Sequence, residues 1–263
     1  MTEKPQIFLS HITEERELAL IFKIEIEKKF LGTLDVFLSS DSGSVSLGNY
    51  WLDNITAGLR ECILMIVFCS SYSIQRSWIN FECGAGWGRG IDIIPICHSG
   101  LRPVDLPLPI SLLQGFSIDQ TVKLQEVFDA IAKKLKLNPP QMDTQLISDQ
   151  CNQFQTEYSK NQKIKLYLIQ IKEKQPYLWQ ALQENINQFN QVSRHKTIVI
   201  SNYAQVDYQK IEQYLENLQE NKHLEFSFGN INLLIGPVDS KVTYGTLQLQ
   251  FSDDAIDVLK TLV

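Results

Sequence analysis

The chain lacks most of the features that place a protein quickly. Cysteine occurs only five times in 263 residues, at 62, 69, 83, 97 and 151. The number is odd, no two stand in CxxC spacing and most sit in apolar surroundings, which argues against a disulfide framework or a zinc site and fits a reducing compartment. No apolar run approaches the roughly 18–20 residues that span a bilayer. The longest, CILMIVFC at 62–69, is strand-sized. The opening MTEKPQIFLSH has no apolar core of the signal-peptide kind. Together these predict a soluble, cytoplasmic protein. Basic charge is not in excess either: 24 Lys and Arg face 30 Asp and Glu, for a net charge of −6. Up to residue 140 there are 13 basic and 16 acidic residues, and beyond it 11 and 14. Neither half has the basic footprint of a nucleic-acid binder or a polybasic membrane patch, so neither partner is expected.

What is present is ordinary globular composition, with 44% hydrophobic and 21% charged residues, at a length comfortable for two domains. Residues 6–10 and 34–38 read as strands. Between them, 14–30 place Leu18, Ile21, Phe22, Ile26 and Phe30 at helical spacing, with Thr13 as the expected N-cap and Glu25 and Glu27 on a solvated face. A polar Ser/Gly loop follows, then a helix over 49–60, a strand over 62–69, a helix from about Trp78, a strand over 91–97, a fifth strand within 112–118 and a helix over 120–136. Strands alternating with helices, several of them apolar on both faces, predict an α/β fold with a flavodoxin-like five-stranded parallel sheet. Ligands of such sheets bind outside the carboxyl ends of the strands, which here carry Ser10-His11, Ser39 to Gly48, Ser70 to Ser77 and Cys97 to Gly100.

Asn138-Pro139-Pro140 reads as a linker over 138–143, separating a first domain at 1–137 from a second at 144–263. Gln and Asn become common beyond it, and no glycine stands between Gly115 and Gly229. Helices are expected at about 144–160 and 163–190, then a strand at 197–201, a helix at 206–220, three β-like runs at 224–228, 231–235 and 242–251, and a final helix at 253–262. The pattern predicts a smaller α+β domain of regulatory or oligomerisation type.

The stretch SSYSIQRSWINFECGAG, residues 70–86, carries the most information. Trp78 and Glu82 are four residues apart, so a helix sets them on one face at the ligand edge. An indole offers a flat stacking surface, and a carboxylate can accept hydrogen bonds from sugar hydroxyls or face a developing cation. The plain alternative is a core Trp and a solvated Glu. Gly84, Gly86, Gly88 and Gly90 do not form GxGxxG, because Arg89 takes the third place, and they point to close helix packing rather than a phosphate cradle. His11 is a candidate base or a turn cap. His98 is a weaker candidate, and Cys83 reads as a buried thiol. No His/Cys/Asp cluster has metal-ligand spacing, so no metal is expected.

Four pieces fall in order along the chain: Ile7-Phe8-Leu9-Ser10-His11; Val36-Phe37-Leu38-Ser39-Ser40-Asp41, with Gly48, Trp51 and Ile55 after it; Ser70, then Ser77-Trp78-Ile79-Asn80-Phe81-Glu82-Cys83-Gly84-Ala85; and Ile94-Pro95, with Pro107-Leu108 and Gln114. Together, over about residues 5–137, they resemble a bacterial Toll/interleukin-1 receptor (TIR) domain. The resemblance implies an enzyme that cleaves the nicotinamide–ribose bond of NAD⁺, with NAD⁺ as substrate and no cofactor. It implies Glu82 as the catalytic residue, and Phe8, Ser10, His11, Asp41, Trp51, Ser70 and Trp78 around the substrate. Residues 41–48 match the BB loop, so Ser42, Gly43, Ser44 and Gly48 are the implied assembly contacts of a homo-oligomer built through TIR–TIR contacts. Antiviral defence is the implied setting. The sequence departs from the pattern where Glu14 or Glu15 replaces the usual Asp and where the loop reads Ser-Asp-Ser-Gly-Ser.

The chemistry agrees with that implication. Nicotinamide leaves NAD⁺ as a neutral base, so no protonating acid is needed, and one carboxylate near the ribose can steady an oxocarbenium-like transition state. Water then gives ADP-ribose, while an adenine nitrogen gives a cyclic product; the residues do not choose between them. Two other readings stand beside the enzyme: a non-catalytic TIR scaffold, and an NAD- or nucleotide-binding sensor. For 144–263 the readings are an oligomerisation domain or the receiver of a small-molecule or protein activator.

Overall fold

Five short apolar runs pair side by side because each is buried on both faces. In the computed structural model, which describes residues 4–39, 50–186, 197–235 and 241–262, β1 (Gln6–Ser10), β2 (Asp35–Leu38), β3 (Cys62–Cys69), β4 (Asp92–Cys97) and β5 (Phe116–Ser117) form one sheet in the order β2-β1-β3-β4-β5. Every pairing in it is parallel. This is the flavodoxin-like strand order, whose reversal point lies between β1 and β3. The expected fifth strand is much shorter than 112–118, because a 3-10 turn at Ile110–Leu112 precedes it.

The two-residue period of the strands builds two separate cores. Ile7, Leu9, Val36, Leu38, Leu64, Ile66, Phe68 and Ile96 face one side, against α1 (Arg16–Lys29) and α4 (Thr121–Leu135). Phe8, Met65, Val67, Cys69, Ile93 and Cys97 face the other, against α2 (Tyr50–Glu61) and α3 (Ser77–Gly88). Alternation along a strand sends neighbours to opposite faces, so Phe8 stacks on Phe37 at 5.2 Å while Ile7 and Leu9 join the opposite core.

Two local expectations are corrected around α1. Thr13 does not cap it: a 3-10 turn, Thr13–Glu15, comes first, and Glu15 itself occupies the N-cap position without a side-chain cap bond. The Glu15 side chain instead turns inward and accepts from the Ile12 backbone N–H at 3.3 Å. Glu25 is not solvated either; it is buried, with Lys28 Nζ 3.2 Å from its carboxylate.

The compact units are Met1–Tyr158 and Ser159–Val263, so their boundary falls inside a helix rather than at the proline linker. That helix, α5 (Thr144–Lys174), is continuous through 161–162, where a break was expected; the chain breaks at Gln175, ahead of Pro176, which disfavours helical geometry in the residue before it. Its first half supplies Ile147, Cys151, Phe154 and Tyr158 to the sheet's α1–α4 core. Burial of these four side chains, with Ile147 and Phe154 each contributing about 1.5–3 kcal/mol, makes this half a structural part of the first unit.

In the second unit, α6 (Pro176–Ile186) is followed by β6 (Thr197–Ala204), α7 (Gln205–Gln209), α8 (Glu212–Glu220), β7 (Leu224–Ile235), β8 (Lys241–Phe251) and α9 (Asp253–Leu262). The sheet is antiparallel with β8 central. The runs at 224–228 and 231–235 are one strand with a register shift between Gly229 and Asn232, and the expected single helix at 206–220 is two. Along β8, buried Leu247, Leu249 and Phe251 alternate with exposed Gln248 and Gln250, so one face meets the helices and the other meets water. Among the described residues, no helix is long and apolar enough to cross a membrane.

Candidate active site

Helix α3 begins at Ser77, just beyond the carboxyl end of β3, and runs across the sheet face that Phe8 and Met65 occupy. Gly86 explains how close it lies. A Cβ there would come within 3.1 Å of Met65 Cε and Ile93 Cδ1, whereas Gly84 and Gly88 face open space. One glycine of the four therefore serves close packing. Gly90 instead follows the helix end with φ +69°, a backbone shape that L side chains rarely adopt.

One turn before Gly86, the same helix face carries Glu82, which is fully buried. The Ser10 hydroxyl, at the end of β1, donates to Glu82 Oε2 at 2.5 Å across 72 residues of sequence. Glu82 Oε1 is also buried, and the Trp78 indole acts on the same carboxylate. Burial pushes the carboxyl up to about 7, and the hydrogen bonding of Ser10 and of the Trp78 indole pulls against it. Trp78 is half-buried and stacks on Phe81 with ring centres 5.0 Å apart; Phe81 is itself half exposed. The helical spacing read from the sequence thus brings Trp78 and Glu82 together, and the sheet adds Ser10.

A second buried network occupies the neighbouring strand ends. Glu15 Oε1 accepts from the Ser70 hydroxyl at 2.7 Å and lies 3.1 Å from His98 Nε2. Ser70 Oγ also meets the Tyr158 hydroxyl at 3.0 Å, and the His98 ring packs against Phe154 and Tyr158 at 5.7 and 5.3 Å. Burial pushes the Tyr158 phenol above its usual value, and the Glu15 carboxylate adds to the rise. The resemblance implies Ser70 beside the substrate, and Tyr158 lies outside the residues that it covers. The available signal was the buried helical spacing of Ile147, Cys151, Phe154 and Tyr158, which runs past the proline linker.

The remaining expected residues divide in two groups. Phe8 is fully buried in the core beneath α3, and His11 is buried, with Nδ1 2.9 Å from the Leu9 carbonyl and its backbone N–H donating to Ser39 Oγ at 3.1 Å. Asp41, Ser42, Gly43, Ser44 and Gly48 lie outside the described residues, as does the side chain of Trp51, whose backbone belongs to α2. Cys83, next to Glu82, is buried, and desolvation with the adjacent carboxylate pushes its thiol up to about 12, which makes it a poor nucleophile. Among the described residues, no group of three or more His, Cys, Asp or Glu is placed to hold a metal ion. A separate surface groove runs between β5 and α4, lined by Phe116, Lys123, Glu126 and Val127 among others, and shares no residue with either carboxylate network.

No protein-family model matches the chain, and no curated protein is significantly similar to it.

Proposed function

We propose that the chain is a TIR-type NAD⁺ glycohydrolase, with Glu82 as the group that acts on the ribose. One observation carries the reading: a buried carboxylate held by a strand-end serine, beside an indole, at the carboxyl edge of a parallel sheet with flavodoxin-like strand order. The C1′–N bond breaks with its electron pair going to nicotinamide, which leaves neutral. The oxocarbenium-like ribose is steadied by the Glu82 carboxylate, and a water oxygen bonds to C1′ as one proton is released. Nicotinamide, ADP-ribose and H⁺ balance NAD⁺ and water; attack by an adenine nitrogen in place of water gives the cyclic product. Self-association through TIR–TIR contacts, control by the second unit, 159–263, and a part in antiviral defence belong to the same proposal.

One observation favours a second reading, a non-catalytic TIR scaffold: Glu82 has no exposed surface in this conformation. The experiment that separates the two is nicotinamide release from NAD⁺ by concentrated full-length protein, with Glu82→Gln beside it and products resolved by chromatography. Release that disappears in Glu82→Gln supports the glycohydrolase. Equal release by both proteins removes Glu82 from the role, and no release by a confirmed oligomer favours the scaffold.

A further inference from the structure

We infer that Ser10 is a positioning residue for Glu82 rather than a substrate contact: its hydroxyl holds Oε2 and so fixes the carboxylate's orientation against β1. In its turnover arm the inference rests on the NAD⁺ reading above; in its titration arm it does not.

Serine has a single proton to donate, and in Ser10 it is directed at Oε2 at 2.5 Å. Ser10 is fully buried, ends β1 and pairs in register with Val67 of β3. It therefore stands at the end of an internal strand, paired there with β3, the kind of rigid support that holds a reacting group in place. The bond crosses from sheet to helix, so it fixes the rotation of the Glu82 carboxylate about its own stem as well as its distance from β1.

The Trp78 indole, one turn earlier on the same helix face, also acts on this carboxylate and favours its charged form. Ser10 holds the carboxylate from the sheet and Trp78 from its own helix, and of the two only Ser10 ties it to β1.

Two variants separate hydrogen bonding from packing. Ser10→Ala removes the hydroxyl; Ser10→Cys nearly keeps its volume but donates only weakly. Melting temperatures establish that both are folded. In the titration arm, protein labelled with ¹³C at glutamate carboxyls is titrated without NAD⁺, with the Glu82 signal assigned by its loss in Glu82→Gln. The Glu82 midpoint is expected to rise by about one pH unit in both Ser10 variants, because the donor that favours the charged form is gone. An unchanged midpoint overturns the inference. In the turnover arm, both variants are expected to lower kcat about 10- to 100-fold with KM nearly unchanged, and to move the acidic limb of the pH–rate profile to higher pH. A rise in KM with kcat preserved overturns the positioning role and makes Ser10 a substrate contact. If wild-type protein shows no turnover, the NAD⁺ reading fails alone, and the titration still decides the role of Ser10.

Discussion

Glu15 Oε1 stands 3.1 Å from His98 Nε2 with both side chains fully withdrawn from solvent, although 83 residues separate them. The pair joins the turn after β1 to the end of β4, and Ser70 at the end of β3 donates to the same oxygen. Removing His98 takes one buried hydrogen-bond partner from Glu15 while the Ser70 hydroxyl and the Ile12 N–H remain, at a cost of about 1–3 kcal/mol. His98→Ala is therefore expected to lower unfolding stability in urea by that order. Tyr158→Phe, which removes only the outer hydroxyl contact to Ser70, should cost about 1 kcal/mol. Equal small losses for both would show that the pair is not a keystone of the strand ends.

Glu82 makes stability fall as pH rises. Its carboxyl titrates at about 7 in the folded chain against 4.5 as the ordinary value. Between those values the folded state holds a proton that the unfolded state has lost, so the stabilisation is fully present below 4.5 and is lost as pH climbs through 7. The difference corresponds to at most about 3 kcal/mol. Denaturation midpoints across this window should decline with pH in the wild type and decline less in Glu82→Gln. The same titration predicts turnover that rises with pH through about 7, because the proposed chemistry uses the charged form.

The glycines of α3 should respond in opposite directions. Gly84→Ala adds a methyl into open space within a helix and is expected to stabilise by about 0.5–1 kcal/mol. Gly86→Val pushes side-chain atoms into Met65 and Ile93 and should destabilise by about 1–3 kcal/mol. It should also lower NAD⁺ turnover, since Glu82 rides on the same helix. Thermal melts of the two variants together test the packing, and a Gly86→Val protein as stable as wild type would mean that α3 does not rest on that contact.

All five cysteines are free and buried. Burial pushes the thiols of Cys83, Cys97 and Cys151 up to about 12. A thiol-specific chromogenic reagent at pH 8 should therefore label none of them in native protein and all five in guanidinium chloride. Fast labelling of one thiol in native protein would locate a part of the core that opens readily.

The alternation of strands and helices was legible in the residues because backbone periodicity is local. Apolar runs such as 62–69, and the four-residue step from Trp78 to Glu82, state their own geometry whatever surrounds them. The parallel sheet of the first unit follows from strands apolar on both faces. Less local features were read incorrectly. The Gln-rich stretch hid one long helix, because its polar positions blur the period that Ile147, Cys151, Phe154 and Tyr158 carry into the first core.

What only the tertiary structure decided is which polar groups turn inward and whom they meet. Glu14 and Glu15 are chemically alike and adjacent, yet Glu15 alone is fully buried, because Ser70 and His98 stand where its carboxylate can reach them. Ser10 and Ser70 both end central strands, yet one donates to Glu82 and the other to Glu15. Those partnerships span 72 and 55 positions of chain. No local pattern encodes them, since they depend on which strand ends the sheet order brings side by side and on how closely Gly86 lets α3 approach.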